Sequence, residues 1–587
     1  MTALAAPFLM ALLVALGATV ACERVARRAG LVAQPREDRW HRQAVPLLGG
    51  VAMMLAVVAS FGLVGGHAGR FGPFLLLALT MGAVGLVDDI RTLRPEAKLV
   101  AQIVLAAILI QLGFLLRLTP SIIVNVVLTL VWVVGITNAF NLLDNMDGLA
   151  AGMATLTAAF RLAFFLMEGD LAGARVTAAF LGAVSGFLIR NFPPAKVFMG
   201  DAGSLFLGFF LSGVCLVGES PYTRGVAAVL VFPVLLVLVP IFDTTFVTVT
   251  RLVMGRPPSR GGRDHMSHRL VALGITERQT LALLLGVSAL SGLLAILSYR
   301  YGFTHTVVLL ALLLVGLVLL GVHLSEVQVV GADQAPGERR PIVRLVVDFP
   351  FIRHVATVAI DLVLIVVAYY TAHLLRFEEA FEAHRETFLR TVGPVIVLEV
   401  LVLALSGTYR GLWRYTSLPD LLQVLRAATV GVGASALYFV FTVRFEALSR
   451  AVFVLNWLLL VVLLGGSRVL FRLLGERLRP RPGAFHRVLI YGAGAGGELT
   501  LREFLNNPAL QRTPVGFIDD DRSKHRTQIH GLPVLGGADR LEELIRTHQI
   551  AEVVVATSKI REEKLRRLAA ACRPLGVSVI RASLRLE

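Results

Sequence analysis

The chain has 587 residues, 56% of them hydrophobic, with a mean hydropathy of +0.74 and a formal net charge of +16. That is too oily for a water-soluble protein of this length, because apolar runs long enough to cross a bilayer recur throughout. On such a chain the basic excess points to the positive-inside rule, and nucleic acid is not an expected partner.

Spans are expected near 3–22, 46–65, 72–88, 99–116, 121–138, 149–167, 172–189, 203–218, 225–250, 279–298 and 305–323, with four more near 353–374, 390–407, 421–443 and 450–474. No convincing small-residue cleavage site follows the first, so it reads as a helix and not as a signal peptide. Arg24, Arg27, Arg28, Arg36, Arg39 and Arg42 crowd the first loop. Arg251, Arg256, Arg260, Arg263, Arg269 and Arg278 crowd the loop after the ninth span, whereas alternate loops carry only Arg70, Arg117, Arg224 and Arg300. This pattern predicts an outside N-terminus and cytoplasmic odd-to-even loops. Residues 324–352, with Gly331, Pro336, Gly337, Pro341 and Pro350, read as a cytoplasmic linker between a membrane unit, 1–323, and a four-helix membrane unit, 353–474. Past Arg479-Pro480-Arg481-Pro482-Gly483 the pattern becomes soluble, with strands at 488–491, 515–518, 553–555 and 577–580 and helices at 538–548 and 561–574. The predicted fold class is an α-helical polytopic membrane protein of about 15 spans with a C-terminal cytoplasmic α/β, Rossmann-like domain over 484–587. Cys22, Cys215 and Cys572 show no disulfide or metal spacing.

Four polar clusters interrupt the apolar chain, and the charge rule puts each at the cytoplasmic face. Asp88 and Asp89 close the third span; helical neighbours point about 100° apart, so the two carboxylates are expected to have separate tasks. A solvated helix end is the plain reading, although two acids there oppose the helix dipole. In the run from Asn138 to Gly148, the residues Asn138, Asn141, Asp144 and Asp147 recur every third position and would form one winding polar stripe. Hydrogen bonding between helices accounts for Asn138 but not for two carboxylates. A hard cation such as Mg²⁺, which takes a few oxygen ligands and keeps waters, accounts for them. Phe198-Met-Gly-Asp201-Ala-Gly-Ser204 opens the eighth span, and Asp201 reads equally as an N-cap or a metal ligand. His265, His268 and Arg269 end a basic loop; with no Cys or third His nearby, phosphate contact is favoured over zinc. Asp243, inside the ninth span, is a functional candidate or a structural partner for Thr or Arg.

With these motifs in this order, residues 1–323 resemble the polyprenyl-phosphate N-acetylhexosamine-1-phosphate transferases, relatives of the phospho-MurNAc-pentapeptide transferase. Pro35, Trp40, His41, Pro46, Gly49 and Gly50 are similar to that family's first cytoplasmic loop. The segment His265-Met-Ser-His268-Arg269 lacks the triple His of the MurNAc-pentapeptide branch and is nearer the GlcNAc-type pattern, yet Ser267 and Arg269 depart from it. The resemblance therefore leaves the sugar open. It implies transfer of a sugar phosphate from a UDP-sugar to polyprenyl (undecaprenyl) phosphate, with UMP released, at a bacterial inner membrane, and a possible homodimer. It further implies Asn141 and Asp201 on Mg²⁺ (or Mn²⁺), with Asp144 and Asp147 supporting metal or nucleotide. Asp88, with Asp89 nearby, would handle the acceptor, and His265, His268 and Arg269 the developing charge.

In the C-terminal domain, Gly492-Ala-Gly494-Ala-Gly496-Gly497 follows a strand and precedes a helix, and Asp519 ends the next strand. The four preceding spans and this domain resemble the N-terminal half of membrane-bound nucleotide-sugar dehydratases and a module of some phosphohexose transferases. NAD or another nucleotide at Gly492, Gly494, Gly497 and Asp519 is one expectation; a sheet that binds none is the other. No Tyr-x-x-x-Lys reductase segment follows, so binding, regulation or assembly is expected here and not catalysis. Two further functional classes fit a polytopic chain with acids at helix ends: a transporter of lipid-linked sugars or ions, and a non-catalytic scaffold. Acids gathered at one face, not at the midplane, argue against the transporter.

Overall fold

In lipid, backbone polar groups must be satisfied within the chain, and long apolar segments do this as helices. The computed structural model describes residues 2–33, 44–64, 69–217, 226–253, 262, 264–325, 327, 349–409, 418–444, 448–477, 486–506, 510, 512–525, 527–556 and 560–582. Pro35, Arg36, Arg39, Trp40, His41, Arg42, Arg224, Arg256, Arg260, Arg263, linker residues 328–348 and residues 479–483 lie outside them. The chain divides into two compact units, Met1–Arg479 and Pro480–Glu587.

The first unit opens with α1 (Thr2–Ala29), then β1 (Val32–Ala33) paired antiparallel with β2 (Val45–Pro46). There follow α2 (Gly49–Val64), α3 (Phe71–Arg91), α4 (Pro95–Gln111), α5 (Ile122–Leu143), α6 (Leu149–Glu168), α7 (Leu171–Asn191) and α8 (Gly200–Leu216). The series continues with α9 (Val226–Leu236), α10 (Leu238–Val253), α11 (Met266–Ala272), α12 (Glu277–Tyr301) and α13 (Phe303–Ser325). Among the described residues, 11 helices are long and apolar enough to cross a membrane. The centre is α8, buried along almost its whole length and packed against α2, α3 and α5. Small residues permit this approach: a Cβ at Gly50 would overlap the Gly203 nitrogen, and one at Gly85 would overlap the Asp201 carbonyl oxygen.

Two expected spans differ in detail. The fourth begins earlier, at Pro95, where a proline suits the first helical turn, and this brings Lys98 inside α4. The ninth is broken into α9 and α10. Pro240 lacks an N–H, and its ring crowds the carbonyl four residues back, that of Leu236, where α9 ends. Neighbouring side chains take up the freed carbonyls: Thr157 Oγ1 donates to Leu236 O at 2.9 Å and Ser291 Oγ to Leu235 O at 2.6 Å.

Four further helices, α14 (Phe349–Phe377), α15 (Phe381–Leu405), α16 (Leu418–Val443) and α17 (Arg450–Arg477), surround a separate apolar core that takes in Val315 and Leu319 of α13. Asp361, without an expected role, is fully buried there and forms a two-pronged ion pair with Arg468.

The second unit carries β3 (His486–Tyr491), α18 (Ala495–Asn506), β4 (Arg512–Ile518), β5 (Gln528–Ile529), β6 (Leu532–Gly536), α19 (Leu541–His548), β7 (Glu552–Val555), α20 (Glu562–Cys572) and β8 (Ser578–Arg581). The strand order is β5-β6-β4-β3-β7-β8, parallel except for the β5–β6 edge pair. The chain leaves β3 first to one side and later to the other, so the order reverses beside β3. Alternation along β3 feeds both faces: Leu489 packs with Leu544 and Leu568, and Ile490 with Leu501 and Phe517. The predicted strands are present; β5 and β6 were not expected.

Removing one member of a buried ion pair strands the other. Asp361→Asn is expected to destabilise the protein by ~3 kcal/mol or more, and the double change Asp361→Leu with Arg468→Met to recover most of that loss. Unfolding midpoints in mild detergent measure both. An unshifted midpoint for Asp361→Asn would show that the pair adds no stability.

Candidate active site

Helix α3 ends at Arg91, with Thr92 left-handed (φ 37°) and its N–H bonded to Asp88 O. Asp88 and Asp89 then diverge to different partners. Asp89 reaches the N-terminus of α8: Oδ1 accepts from Asp201 N (2.8 Å) and Oδ2 from Ala202 N (3.0 Å). A carboxylate on unpaired first-turn N–H groups satisfies donors and complements the helix dipole. Gly200 admits it, since its φ is +67° and a Cβ there would lie 2.5 Å from Asp89 Oδ2. The cap of α8 thus comes from another helix, and the Asp201 side chain is released from that duty. Asp89, expected near the acceptor, is bonded here to the frame of the site.

Asp88 accepts from Leu93 N through Oδ1 (2.5 Å) and from Lys98 Nζ through Oδ2 (2.7 Å). The same ammonium donates to Asp201 Oδ2 at 3.2 Å. Asp201 Oδ1 accepts from Asn141 Nδ2 (2.9 Å), which also faces Ser204 Oγ at 2.8 Å. Five residues from four helices, α3, α4, α5 and α8, therefore meet at one point. Lys98 and Ser204 were not anticipated as site residues. A lone lysine at the mouth of an apolar span looks like an interfacial anchor, and Ser204 looks like one more polar residue of the α8 first turn.

The carboxylates of Asp88 and Asp201 converge on a single cationic group. This oxygen-rich donor set, with the Ser204 hydroxyl and the Asn141 amide, fits a hard divalent ion, which takes one or two carboxylates and completes its shell with water and phosphate. No group of three His, Cys, Asp or Glu side chains suited to a metal occurs among the described residues.

The expected winding stripe stops short, because α5 ends at Leu143. Asn138 pairs reciprocally with Gln102 of α4, at 2.8 and 3.2 Å, as a bond between helices. Asp144 is the residue just past the C-terminus of α5. Asp147 lies in the following turn and accepts from Ala195 N at 2.7 Å. Gly148 N donates to Asn191 Oδ1 (3.1 Å), and Asn191 Nδ2 to Val197 O (2.9 Å), so this turn is tied to the segment leading into α8. Pro46, Gly49 and Gly50 hold the same segment: Phe198 N donates to Pro46 O (2.8 Å), Gly49 N to Phe198 O (2.9 Å) and Gly50 N to Met199 O (3.0 Å).

The His loop joins through Ser267, whose Oγ donates to Asn145 Oδ1 at 2.7 Å. Asp243 is its anchor: Oδ2 lies 2.8 Å from His265 Nδ1, and Oδ1 accepts from Met266 N at 2.8 Å. A carboxylate on Nδ1 fixes the imidazole and leaves Nε2 as its other functional nitrogen. The His268 ring is buried, 6.3 Å from that of His265. Arg251 grips Asp264 with two bonds of 2.7 Å. Burial pushes the Asp264 carboxyl up, but the Arg251 hydrogen bonds and charge outweigh it and hold the group below the usual carboxylate range. Arg269 is spent on the frame: Nε donates to Asp264 O (2.9 Å), and Nη1 to the Leu324, Ser325 and Val327 carbonyls (2.8, 3.3 and 3.0 Å). A cation suits the carbonyl end of α13. A phosphate at Arg269 would have to share the guanidinium with these carbonyls.

In the second unit, Gly492 (φ +109°) turns the chain out of β3. A Cβ at Gly496 or Gly497 would overlap the Ala556 or Gly492 carbonyl, whereas Gly494 faces open space. Asp519 stands beside this turn with its oxygens engaged: Ala493 N (2.8 Å) and Lys524 Nζ (2.9 Å) bond Oδ2, and Asp521 N (2.9 Å) bonds Oδ1. Burial raises the Asp519 carboxyl, but these donors more than reverse the effect and leave it below its ordinary range. A ribose hydroxyl would have to share an acid already tied to the Gly-rich turn.

Comparison with known proteins agrees with this architecture. Residues 72–219 match the family described as glycosyl transferase family 4, and residues 404–582 match a family described as a CoA-binding domain. Over 287 residues the chain is 34% identical to the "Probable undecaprenyl-phosphate N-acetylglucosaminyl 1-phosphate transferase" of Bacillus subtilis, covering 46% of this chain and 78% of that one. It is 33% identical over 298 residues to the decaprenyl-phosphate N-acetylglucosaminephosphotransferase of Mycolicibacterium smegmatis, covering 44% and 73%. A match of 34% identity over 177 residues, 30% of this chain and 29% of the relative, is to the "Probable polysaccharide biosynthesis protein EpsC" of Bacillus subtilis. Four helices converging on Asp201, under a family match that covers Asp88 to Ser204, lead to one assignment: the chain belongs to the polyprenyl-phosphate N-acetylhexosamine-1-phosphate transferases of glycosyl transferase family 4, and carries a C-terminal domain of the CoA-binding type.

Proposed function

We propose that the chain transfers an N-acetylhexosamine 1-phosphate, of the GlcNAc type, from a UDP-sugar to polyprenyl phosphate and so starts a cell-surface glycan. An acceptor phosphate oxygen attacks the sugar-bearing phosphorus of the donor; the bond to the UMP oxygen breaks, and UMP leaves. The observation that carries this reading is the junction of Asp88, Lys98, Asn141 and Asp201. The acceptor is largely dianionic at neutral pH, since a phosphate monoester has a second pKa of about 6. Two anions must therefore meet, and positioning with charge neutralisation matters more than a strong base.

Asp201 and Asn141, with Asp88 alongside, would hold Mg²⁺ or Mn²⁺, which when bound neutralises diphosphate charge. Lys98 adds a fixed ammonium beside the same carboxylates, and Asp88 orients it. His265, aligned by Asp243, and His268 face the developing charge, while Asp144 and Asp147 support the nucleotide from the α5–α6 turn. Asp89 and Arg269 act as positioning residues. We read α2, α4, α8 and the broken α9–α10 pair as spans beside the 11 long ones, which makes 15 and puts site and C-terminal domain on the cytoplasmic side of a bacterial inner membrane. The Gly492–Gly497 turn and Asp519 would take a nucleotide in a binding or regulatory role.

Purified protein given UDP-GlcNAc, undecaprenyl phosphate and Mg²⁺ should release UMP. Asp201→Asn should lower kcat by ~10²–10³-fold or more with an unchanged unfolding midpoint. Asp89→Asn should lower both kcat and the midpoint, the latter by ~1 kcal/mol for a lost helix-end charge. Wild-type rates from Asp201→Asn would defeat the reading. Chelation by EDTA should stop turnover, and Mg²⁺ or Mn²⁺ should restore it. Absence of UMP from several UDP-sugars, with and without divalent ion, would end the transferase assignment.

A further inference from the structure

A second polar cavity, about 700 Å³, lies at the opposite end of the first unit and is independent of the site above. It is lined by Arg70 and Asp170 beside the starts of α3 and α7, by the ends of α6 and α8, and by the loop after α4. Arg70 and Asp88 are eighteen residues apart along α3, which at 1.5 Å per residue places the cavity about 27 Å from the catalytic junction. Its volume falls in the range of small-molecule sites.

Three guanidiniums line it, those of Arg70, Arg117 and Arg161. The Arg161 side chain is only 5% exposed. Its Nε donates to Val214 O at 2.8 Å, and its Nη2 to Val217 O and to Glu168 Oε2, the last at 3.3 Å. Its guanidinium also lies over the Phe165 ring, 3.7 Å from the ring centre. Arg70 lies 5.6 and 5.8 Å from the Phe71 and Phe114 ring centres. Neither Arg70 nor Arg117 has a carboxylate partner among the described residues. The two acids in the lining are already engaged: Glu168 pairs with Arg161, and Asp170 Oδ1 caps α7 through Gly173 N at 2.9 Å. Arg70 and Arg117 thus have donors to offer an anion, and guanidinium forks match phosphate oxygens. Part of the wall is apolar. Phe164, Phe232 and Tyr299 form one aromatic cluster with centroids 5.4–6.0 Å apart. A free phosphate would gain nothing from that wall, whereas a phosphate carrying glycerol and acyl carbon would.

We propose that this cavity binds the phosphate headgroup of an anionic phospholipid in the leaflet opposite the catalytic site. Arg70, Arg117 and Arg161 hold the phosphate, and the aromatic cluster holds the glycerol end of the chains. Such a lipid brings an anion to the two arginines that lack a carboxylate partner, Arg70 and Arg117, and ties together the ends of α3, α6 and α8. Native mass spectrometry of the purified full chain, mixed with phosphatidylglycerol or phosphatidylcholine of equal chain length, tests it. Arg70→Gln with Arg117→Gln is the variant of choice, because both residues are exposed and neither belongs to the catalytic site; unchanged UMP release certifies its fold. Phosphatidylglycerol should be retained in preference to phosphatidylcholine, and the double variant should lose about tenfold or more of that retention. Equal retention of the two lipids, or retention unaffected by the double variant, would overturn the proposal. Displacement of phosphatidylglycerol by millimolar inorganic phosphate would also overturn it, by assigning the cavity to a soluble anion.

Discussion

The carboxylate of Asp89 on the first-turn amides of α8 is the contact from which the rest of the site follows. A helix that starts inside a membrane bundle exposes unpaired N–H groups, and leaving them dry is costly. Drawing the cap from α3 fixes two helices against each other and frees Asp201, which a self-capping helix would consume. The neighbouring Asp88 then points about a quarter-turn away, toward Lys98 and Asp201. One dipeptide thereby serves both the start of α8 and the junction at Lys98, on separate faces of one helix.

The remaining polar segments are arranged around that contact in a second layer. The α5–α6 turn, the segment before α8 and the loop before α2 are laced together by backbone bonds from Phe198, Gly49 and Gly50 and by the carboxylate of Asp147. The His loop is docked separately, through Asp243 on His265 and Met266 and through Ser267 on Asn145. Its basic residues are divided by function. Arg251 and Arg269 are turned onto Asp264 and onto the carbonyl end of α13, and the imidazoles of His265 and His268 lie between these anchored flanks.

Much of this was legible in the sequence, because the signals were local. Apolar length gave the long helices, and a polar residue in an apolar run marks a place that lipid does not explain. Alternation marked the strands of the C-terminal sheet. What escaped was pairing across distance. Lys98 meets Asp201 across 103 positions, and nothing near Lys98 distinguishes it from a lysine that snorkels to the headgroups. Asn138 and Asn141 look alike in sequence, yet the first is bonded to Gln102 and the second to Asp201; their helical phase alone separates them. Arg269 carries the right chemistry for phosphate, and nothing near it in the sequence foretells its bonds to carbonyls 55 to 58 residues away. The break between α9 and α10 was hidden because hydropathy does not register a missing N–H at Pro240.

Exchanging a helical glycine for alanine is an ordinary route to a sturdier protein, since it trims the freedom of the unfolded chain. Around α8 that route is closed. At Gly50 and Gly85 one methyl group would strike backbone, which cannot rotate out of the way as a side chain does. An engineer seeking heat resistance in this enzyme must leave those two positions alone and work on the outward-facing ones, such as Gly17, Gly62 and Gly135, which have nothing within 4 Å of an added carbon.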